Sequence, residues 1–456
     1  MNTFNKIIFT LLLILSFSTT HLLADPIVFK SVNVLTMESE DIHHDHTIII
    51  ENGLIKWAGP DSLAEIPEHA TIFEKPGLYV MPGLAEMHAH IPSGNQGRDV
   101  MENTLALYLS QGITTIRGML GHPVHLELRE QAAAGQLFSP RIFTSGPSFN
   151  GNTATDPQIT QQMVRDQAAM GYDLLKLHPG ITLENFNAMA EQARETGIEF
   201  SGHISHGVGL LRSLEAGQGT IDHLDRYMEF LSGDAADRDD PPIIYFGYDL
   251  VPFADESLID EAARITREAN VWNVPTNTLL DNIFNPSLSV FEMQEWPGME
   301  YIPNATLENW VNFVNNIRAN ENYDTTQARR FLDIRNQLTF ALHKEGAGLL
   351  LGADAPQIFN PPGFSAHREL KLLVDAGLTP FEALKTGTVN VGIYLDEEDK
   401  TGKVAPGFRA DLIFLSVNPI ETIPFQNYIE GVVVNGEFSN RADLDEILER
   451  IKSAVE

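Results

Sequence analysis

Short apolar segments alternate with helical segments between residues 82 and 403, and no other feature of the sequence limits the fold as strongly. The segments with the pattern of strands are 112–117, 141–146, 174–177, 199–202, 220–222, 271–274 and 349–352. Helical patterns lie between them, as at residues 183–195. The alternation is typical of an α/β fold with parallel strands, and a length of about 320 residues suits a (β/α)8 TIM-like barrel.

The two ends of the chain have a different pattern. Residues 25–81 and 404–440 contain short runs of Val, Ile and Thr between turn residues, and Asn435-Gly436 is typical of a tight hairpin turn. We therefore expect a small β-sandwich domain formed from both termini, followed by a C-terminal helix over 441–456. The long block over 230–340 is expected to form helices and loops that cap the mouth of the barrel.

The first 24 residues have the pattern of a signal peptide. Lys6 supplies a positive charge, residues 7–17 are nearly all apolar, and Ala24 is a small residue at a cleavage point. The apolar run is too short to span a bilayer, and no later segment is apolar for long enough. We expect a periplasmic or secreted protein cut after Ala24 that does not associate with a membrane. The alternative is an uncleaved anchor.

The overall charge and the absence of cysteine exclude several kinds of function. The formal net charge is −32, and such a surface repels nucleic acid and anionic membranes. Without cysteine there are no disulfides, no cysteine nucleophile and no thiolate metal ligands. Any metal must therefore be held by His, Asp, Glu or a modified Lys.

The sequence Pro82-Gly-Leu-Ala-Glu-Met-His88-Ala-His90 places two histidines at the end of an apolar strand. Because side chains two residues apart share one face of a strand, both imidazoles can reach one ion. An isolated H-x-H is weak evidence by itself. Its position after a strand and before a loop strengthens the prediction of a metal site.

Further metal-binding residue types follow other predicted strands. Lys176 lies within an apolar strand, either buried as a carboxylated ligand or exposed at the strand's end. His203 and His223 each end a short strand, and Asp354 directly follows an apolar one. Catalytic groups occupy this end of the strands in parallel barrels, although a lone His is more often structural and Asp also begins turns.

The order H-x-H, Lys, His, His, Asp resembles the amidohydrolase superfamily. It is most similar to the imidazolonepropionase-like branch that includes metal-dependent Xaa-Pro and Xaa-Arg dipeptidases. The surrounding sequences that carry the resemblance are 80–90, 112–117, 221–224, 376–384 and 402–413. Gly118 departs from the family pattern, because many relatives have Asp there.

The resemblance implies two divalent metal ions and assigns their ligands. His88, His90 and Asp354 would hold the more buried ion, and His203 and His223 would hold the second. Lys176, carboxylated by CO2, would bridge them. Zinc suits these ligands best, with manganese or cobalt as alternatives. Asp354 would also be the catalytic base that takes a proton from the attacking hydroxide and passes it to the leaving group.

Four residues near the expected barrel mouth are candidates for substrate binding: His178, His206, Arg226 and Tyr227. Arg226 could pair with a substrate carboxylate, and Tyr227 could hydrogen-bond to one, with ordinary loop packing as the alternative for both. His43, His44 and His46 are interpreted as a solvated loop. His122, His125 and His367 are weaker candidates.

These observations predict an exported metal-dependent hydrolase that cleaves amide bonds of small substrates such as dipeptides or N-acyl amino acids. Hydrolysis of a cyclic amide or a lactone is the alternative reaction. A catalytically inactive metal-binding protein is the alternative class. The sequence contains no G-x-S-x-G, so a serine hydrolase lacks support. A small-molecule substrate is the expected partner, and a homo-oligomer stays open.

Overall fold

The computed structural model describes residues 25–236 and 246–455, so the predicted signal peptide, residues 1–24, lies outside the described residues. The strands are β1 (Ile27–Leu35), β2 (Ile42–Glu51), β3 (Leu54–Pro60), β4 (Thr71–Glu74), β5 (Tyr79–Pro82), β6 (Leu84–Ala89), β7 (Ile113–Gly118), β8 (Arg141–Thr144), β9 (Leu174–Leu177), β10 (Glu199–Gly202), β11 (Thr220–Asp222), β12 (Trp272–Val274), β13 (Leu412–Leu415), β14 (Ile429–Val434) and β15 (Glu437–Asn440). The helices are α1 (Arg98–Ser110), α2 (Pro123–Ala133), α3 (Pro157–Met170), α4 (Leu183–Thr196), α5 (Gly209–Ala216), α6 (Tyr227–Ser232), α7 (Ile259–Glu268), α8 (Asn277–Phe284), α9 (Val290–Gln294), α10 (Asn304–Arg318), α11 (Thr325–Glu345), α12 (Phe364–Asp375), α13 (Pro380–Thr386), α14 (Val389–Tyr394) and α15 (Arg441–Val455).

One mixed sheet combines strands from both ends of the chain. Its order is β15-β14-β13-β5-β1-β2-β3, with β4 beside β1. β13 pairs antiparallel with both β5 and β14, so the C-terminal strands attach directly to the N-terminal ones. Phe29 packs against Phe414 and Phe438 at ring-centroid distances of 4.4 and 4.9 Å. The arrangement of these strands as a two-layer sandwich stays a prediction.

The other two sheets are made of parallel strands, in the orders β6-β7-β8 and β12-β11-β10-β9. Strands that follow one another in the chain are neighbours in these sheets, and α1, α4 and α5 connect successive pairs. Parallel strands joined by helices have all their carboxyl ends at one edge. The predicted α/β class with parallel strands is confirmed.

Backbone contacts connect the two parallel sheets. A parallel bridge joins the residue after β8 to β9. Leu350 N donates to Asn273 O on β12 at 2.9 Å, and Met87 N on β6 donates to Leu351 O at 2.8 Å. The pairings therefore run from β6 to β12, continue to residues 349–352 and return to β6. That segment, predicted as a strand, has contacts to both neighbours but forms only an isolated bridge.

Residues at the helix ends explain where several helices begin and end. Asp156 accepts hydrogen bonds from two backbone N–H groups at the start of α3, where Pro157 is the first helical residue. Thr182 caps α4 in the same way. Gly171 and Gly197 then end these helices in the left-handed conformation that glycine adopts without strain. None of the helices in the described part of the chain combines the length and hydropathy needed to cross a bilayer.

The block over 230–340 contains α7 to α11 together with β12, and residues 237–245 of it lie outside the described part. A separate apolar cluster forms there around Met293 and Trp310. Trp310 packs against Phe359 at a ring-centroid distance of 5.8 Å. Because Phe359 lies five residues after Asp354, part of the block is adjacent to the carboxyl edge of the parallel strands.

Candidate metal centre

The first group of donors lies where β6 ends beside residues 349–354. Asp354 N donates to His88 O at 3.1 Å, which places the two side chains next to each other. Asp354 Oδ1 lies 2.7 Å from His90 Nε2 and 3.4 Å from His88 Nε2. One donor atom from each of these residues lies within 4.8 Å of the other two. The structure thus brings three of the predicted ligands together.

The turn that carries Asp354 is held by a buried acid that the sequence analysis missed. Ala353 N donates to Glu86 Oε1 at 2.5 Å, and Glu86 is fully buried on β6. Burial raises the pKa of Glu86 to about 8. Gly352 allows this turn to lie close to the backbone of β6, because a Cβ at residue 352 would lie 2.9 Å from His88 N. The available signal was an acidic residue within an apolar strand.

The second group of donors consists of His203, after β10, and His223, after β11. Their ring centroids are 4.5 Å apart, and the His223 ring is 4.6 Å from that of His88. His223 Nε2 lies 4.0 Å from Asp354 Oδ2. Asp354, a member of the first group, therefore also lies beside the second group, as the carboxyl ends of parallel strands allow.

Hydrogen bonds determine which ring nitrogen of each histidine carries the proton. His203 Nδ1 donates to Asp225 Oδ2 at 2.9 Å, because a carboxylate only accepts. The Thr276 hydroxyl donates to Pro275 O at 2.8 Å, so its oxygen accepts from His223 Nδ1 at 2.7 Å. Each ring keeps Nε2 as a lone-pair donor, which is the usual arrangement of metal-binding histidines. Sequence analysis missed both partners.

Lys176 on β9 is fully buried, so the alternative of a lysine at the strand's exposed end is wrong. Its Nζ lies 3.4 Å from Asp222 Oδ2. Burial lowers the pKa of Lys176, and the negative charge of Asp222 opposes this effect. Gly202 on the neighbouring strand leaves room for the amine, because a Cβ there would lie 3.1 Å from Nζ.

Asp222, also missed, is fully buried and gathers several donors. The Thr220 hydroxyl donates to Oδ1 at 2.8 Å, and the guanidinium of the buried Arg117 lies 3.7 Å away. His88 Nδ1 lies 2.9 Å from Oδ2 but is not aligned as a hydrogen bond. The available signals were an Asp directly before His223 and an Arg at the end of an apolar strand, since neither type is often buried unpaired.

Desolvation favours the neutral form of two of the site histidines, His88 and His223. Burial first, and neighbouring cationic groups second, hold the pKa values of His88 and His223 well below the ordinary range. The same causes lower the pKa of His178 to about 2. Neutral imidazole is the form that binds metals, so these surroundings favour metal binding over protonation.

Three of the residues predicted to bind substrate lie near the donors or at the surface. The His178 ring stacks on His203 at 5.2 Å, which places it beside the second group. His206 is exposed. Arg226 donates to Ile204 O at 2.8 Å and forms an ion pair with Glu229. Arg226 therefore already uses part of its hydrogen-bonding capacity on protein groups near its own loop.

Tyr227 has a different location from the one expected. Its side chain is fully buried, and its hydroxyl lies 2.8 Å from Thr266 Oγ1 and 3.1 Å from Asn273 Oδ1. These contacts join α6, α7 and β12 in the packed interior. The structure therefore does not bring this hydroxyl to the metal donors, because the first turn of α6 directs it toward α7.

The other histidines have local partners. The cluster of His43, His44 and His46 was predicted to be a loop but belongs to β2, where His44 Nδ1 bonds to Asn33 Oδ1 at 2.7 Å. His122 caps α2. His125 and His367 bond to backbone carbonyl groups at 3.0 and 2.9 Å.

The donor set fits the two divalent ions that the resemblance implies. Four imidazoles and one carboxylate converge, and imidazole and carboxylate ligands suit zinc, with manganese or cobalt as alternatives. Asp225 and Thr276 orient the Nε2 atoms of the second group. A cavity of about 260 Å³ beside Trp296 and Leu307 contains none of these donors.

Comparison with known proteins identifies the family. The amidohydrolase family profile matches residues 79–438. The chain belongs to this family. The predicted superfamily is thus confirmed. Ochratoxinase from Aspergillus niger is 22% identical over an aligned length of 410 positions, and the match covers 82% of this chain and 78% of that protein.

Solved structures show the same fold. A putative prolidase from Bifidobacterium longum matches with a TM-score of 0.68 and 22% identity, over 94% of this chain and 99% of that one. Bottromycin amidohydrolase matches with a TM-score of 0.72 and 22% identity, over 94% and 90% of the two chains. The amidohydrolase fold of these neighbours is of the TIM-barrel type.

Proposed function

We propose that the protein is a binuclear metal-dependent hydrolase that cleaves amide C–N bonds in small substrates such as dipeptides or N-acyl amino acids. The observation that carries the proposal is the convergence of metal-binding side chains from four separate segments at one edge of the parallel strands. Catalytic groups lie at this edge in parallel α/β barrels. Membership in the amidohydrolase family supports the hydrolytic chemistry.

In this proposal His88, His90 and Asp354 hold the more buried ion, and His203 and His223 hold the second. When bound there, two divalent ions would lower the pKa of water and polarise a substrate carbonyl. His178, beside the second group, is placed to contact substrate, while the exposed His206 and the loop-bound Arg226 are candidates at the rim.

Asp354 is the residue that moves the proton. Its carboxylate contacts His90 through Oδ1 and approaches His223 through Oδ2, so it spans both groups of donors. From this position it accepts the proton of the attacking water and donates it to the leaving nitrogen. An amide nitrogen leaves poorly without a proton, which is why a carboxylate at this position matters for C–N cleavage.

We also propose that Lys176 carries a carboxylate derived from CO2. The neutral amine is the form that reacts with CO2, and burial lowers the pKa of this lysine toward that form. Carboxylation would convert the buried amine into a carboxylate, whose oxygens would be metal ligands. Replacement by alanine would then remove this oxygen ligand from the centre.

The substrate panel has to cover more than one class of carbonyl compound. Ochratoxinase and prolidases are names of relatives and neighbours that share only about a fifth of their residues with this chain. A cyclic amide or a lactone presents a similar carbonyl to the same donors. Substrate panels therefore have to include dipeptides, N-acyl amino acids, cyclic amides and lactones.

The test is elemental analysis of the purified protein combined with hydrolysis of that panel. We expect about two metal ions per chain, activity that a chelator abolishes and zinc restores, and loss of activity in Lys176→Ala. One ion per chain would remove Lys176 from the proposed centre. No metal and no turnover after reloading with zinc would refute the proposal in favour of a binding protein.

The finer architecture is part of the same proposal. We infer that the pairings from β6 to β12, together with residues 349–352, form the eight strands of a (β/α)8 barrel. The mixed sheet from both termini would pack as a small β-sandwich beside it. Residues 25–81 and 404–440 would then form one domain and 82–403 the barrel.

We propose further that the protein is exported to the periplasm or secreted after cleavage at Ala24. Its partner would be a small molecule, because the net charge of −32 disfavours nucleic acid and anionic membranes. N-terminal sequencing of the exported protein tests this. A first residue at Asp25 supports the cleavage, and retention of residue 1 would show that it does not occur.

A further inference from the structure

The segment from Pro275 to Thr278 joins β12 to α8 and supports the second group of donors. Thr276 is fully buried in the left-handed region, with φ of 49°. A β-branched residue rarely adopts such a conformation unless its surroundings impose it. Since the Thr276 hydroxyl is the partner of His223 Nδ1, whatever holds this segment also sets the orientation of His223.

Arg335 on α11 holds the carbonyl groups of this region. It is almost fully buried, and its guanidinium donates to His223 O and Pro275 O at 2.7 Å each. Burial lowers the pKa of Arg335 to about 10, so it stays a cation at neutral pH. A planar guanidinium spans two carbonyl groups from neighbouring strand ends, which the single ammonium of lysine does not reproduce.

Glu369 on α12 holds the N–H groups of the same segment. It is fully buried, and its two carboxylate oxygens accept from Asn277 N at 2.9 Å and Thr278 N at 2.7 Å. Arg335 thus binds the carbonyl group before Thr276, and Glu369 binds the two N–H groups after it. Two helices outside the parallel strands therefore fix one short turn.

The carbonyl group that Arg335 binds is also the acceptor of the Thr276 hydroxyl. Pro275 O accepts from both Arg335 and Thr276. With its single proton directed to Pro275 O, the Thr276 oxygen has only lone pairs to offer to His223. His223 must then carry its proton on Nδ1 and present Nε2 toward Asp354.

We propose that Arg335 and Glu369 are positioning residues that act through Thr276 to hold His223 in the tautomer and orientation that bind the second metal ion. This inference rests on the proposed metal centre. It assigns a specific role to two buried ionisable residues on α11 and α12 that supply no metal ligand. Loss of either contact should weaken the second ion and leave the His88–His90–Asp354 group intact.

Arg318 on α10 offers a matched control. The Arg318 guanidinium donates to three backbone carbonyl groups, those of Ile283, Asn282 and Leu288. Arg335 likewise donates mainly to backbone carbonyl groups. None of the carbonyl groups that Arg318 binds belongs to a segment that carries a metal donor. Replacing Arg318 therefore reports what loss of a partly buried set of carbonyl contacts does to stability alone.

The test measures metal content and chelator competition in Thr276→Val, Thr276→Ser, Arg335→Met, Glu369→Gln and Arg318→Met. We expect Thr276→Val, Arg335→Met and Glu369→Gln each to lose about 10- to 100-fold in affinity for one ion only, as changes to the partners of ligating histidines do. Thr276→Ser keeps the hydroxyl and should retain both ions. Arg318→Met should lower the thermal midpoint while binding both ions normally. Unchanged affinities in Thr276→Val and Arg335→Met, or equal weakening of both ions, would overturn the inference.

A second readout separates this inference from the proposed function. Nitrogen NMR of histidine-labelled protein without metal reports the His223 tautomer directly. We expect a proton on Nδ1 in the wild type and a mixture of tautomers in Thr276→Val. If the wild type bound no metal but showed this difference, the proposed function would fail and the positioning role would stand. A His223 whose tautomer does not change in Thr276→Val contradicts the positioning role.

Discussion

The chain contains two H-x-H sequences, and only one of them lies in the candidate metal centre. His88-Ala-His90 ends a buried parallel strand, and the side chains of these two histidines are 1% and 15% exposed. His44-Asp-His46 lies on β2 of the mixed sheet, where His44 is exposed. Asp354 Oδ1 reaches both histidines of the first sequence, whereas His44 bonds to Asn33 and His46 to the backbone.

Local backbone structure does not explain the difference. Both strands contain a register shift of one residue near their histidines. The ring centroids of His43 and His46 on β2 are 5.3 Å apart, and those of His88 and His90 are 5.4 Å apart. What differs is the direction of the neighbouring strands. Antiparallel neighbours alternate their carboxyl ends between opposite edges, whereas parallel neighbours collect them at one edge, where donors from other strands are added.

The largest expected effect comes from removing each pair of histidines. In His88→Ala/His90→Ala we expect the turnover number to fall by more than the ~10⁴-fold that loss of one acid–base group can cost, because the first ion loses most of its ligands. In His44→Ala/His46→Ala we expect unchanged turnover and metal content. Steady-state kinetics and elemental analysis measure both. Equal losses in the two variants would erase the distinction between the clusters.

The next effect concerns the carboxylate that only the first cluster has. Asp354→Asn keeps the shape but cannot take the proton of the attacking water, so kcat should fall by about 10²- to 10⁴-fold. The metal content of the same sample has to be measured, because loss of an ion would give the same decrease for another reason. A variant that keeps its metals and its kcat would remove Asp354 from proton transfer.

A smaller effect is expected from the partners of single histidines. Asp225 accepts from His203 as Asn33 contacts His44, so Asp225→Ala and Asn33→Ala form a matched pair. Asp225→Ala should weaken metal binding by about 10- to 100-fold, while Asn33→Ala should leave it unchanged. Competition with a chromophoric chelator measures this. Wild-type affinity in Asp225→Ala would show that His203 is held by other contacts.

The smallest effect tests what burial alone does to a histidine that belongs to neither cluster. His367 is fully buried away from the donors, and desolvation lowers its pKa to about 4 from an ordinary value of 6.5. Between these values the unfolded chain binds a proton that the folded chain does not, so stability falls as the pH decreases through this range. His367→Gln removes this contribution, which is about 2 kcal/mol at pH 5. Urea unfolding at pH 7 and pH 5 measures it, and activity at pH 7 should not change. An identical pH dependence in wild type and variant would refute the role of His367.

The predicted metal ligands and the partners that hold them differ in how visible they are in the sequence. His88, His90 and Asp354 could be predicted because each follows an apolar strand, and strand ends meet at one edge. Lys176 could be noticed because a lysine is costly within an apolar strand, but only the structure shows that it is buried. Thr276, as an ordinary threonine between β12 and α8, shows no comparable signal.

Tyr227 illustrates the limit of adjacency in the chain. Its position four residues after His223 suggested a contact with substrate. The helix that begins at this residue directs its hydroxyl to Thr266 and Asn273 instead. A helix rotates each successive side chain by about 100°, so a small difference in where α6 starts determines which way the ring points.

The sequence by itself determined the α/β class, the family and the types of side chain that end the parallel strands, because strand periodicity and residue chemistry are local properties. Only the tertiary structure decided which of the two H-x-H sequences gains a carboxylate, which nitrogen of His203 and His223 is free, and which distant charges hold them. Those outcomes depend on contacts such as that of Arg335 with His223, which are 112 residues apart in the chain. Such contacts form only when the helices pack against the strand ends, and no local pattern encodes them.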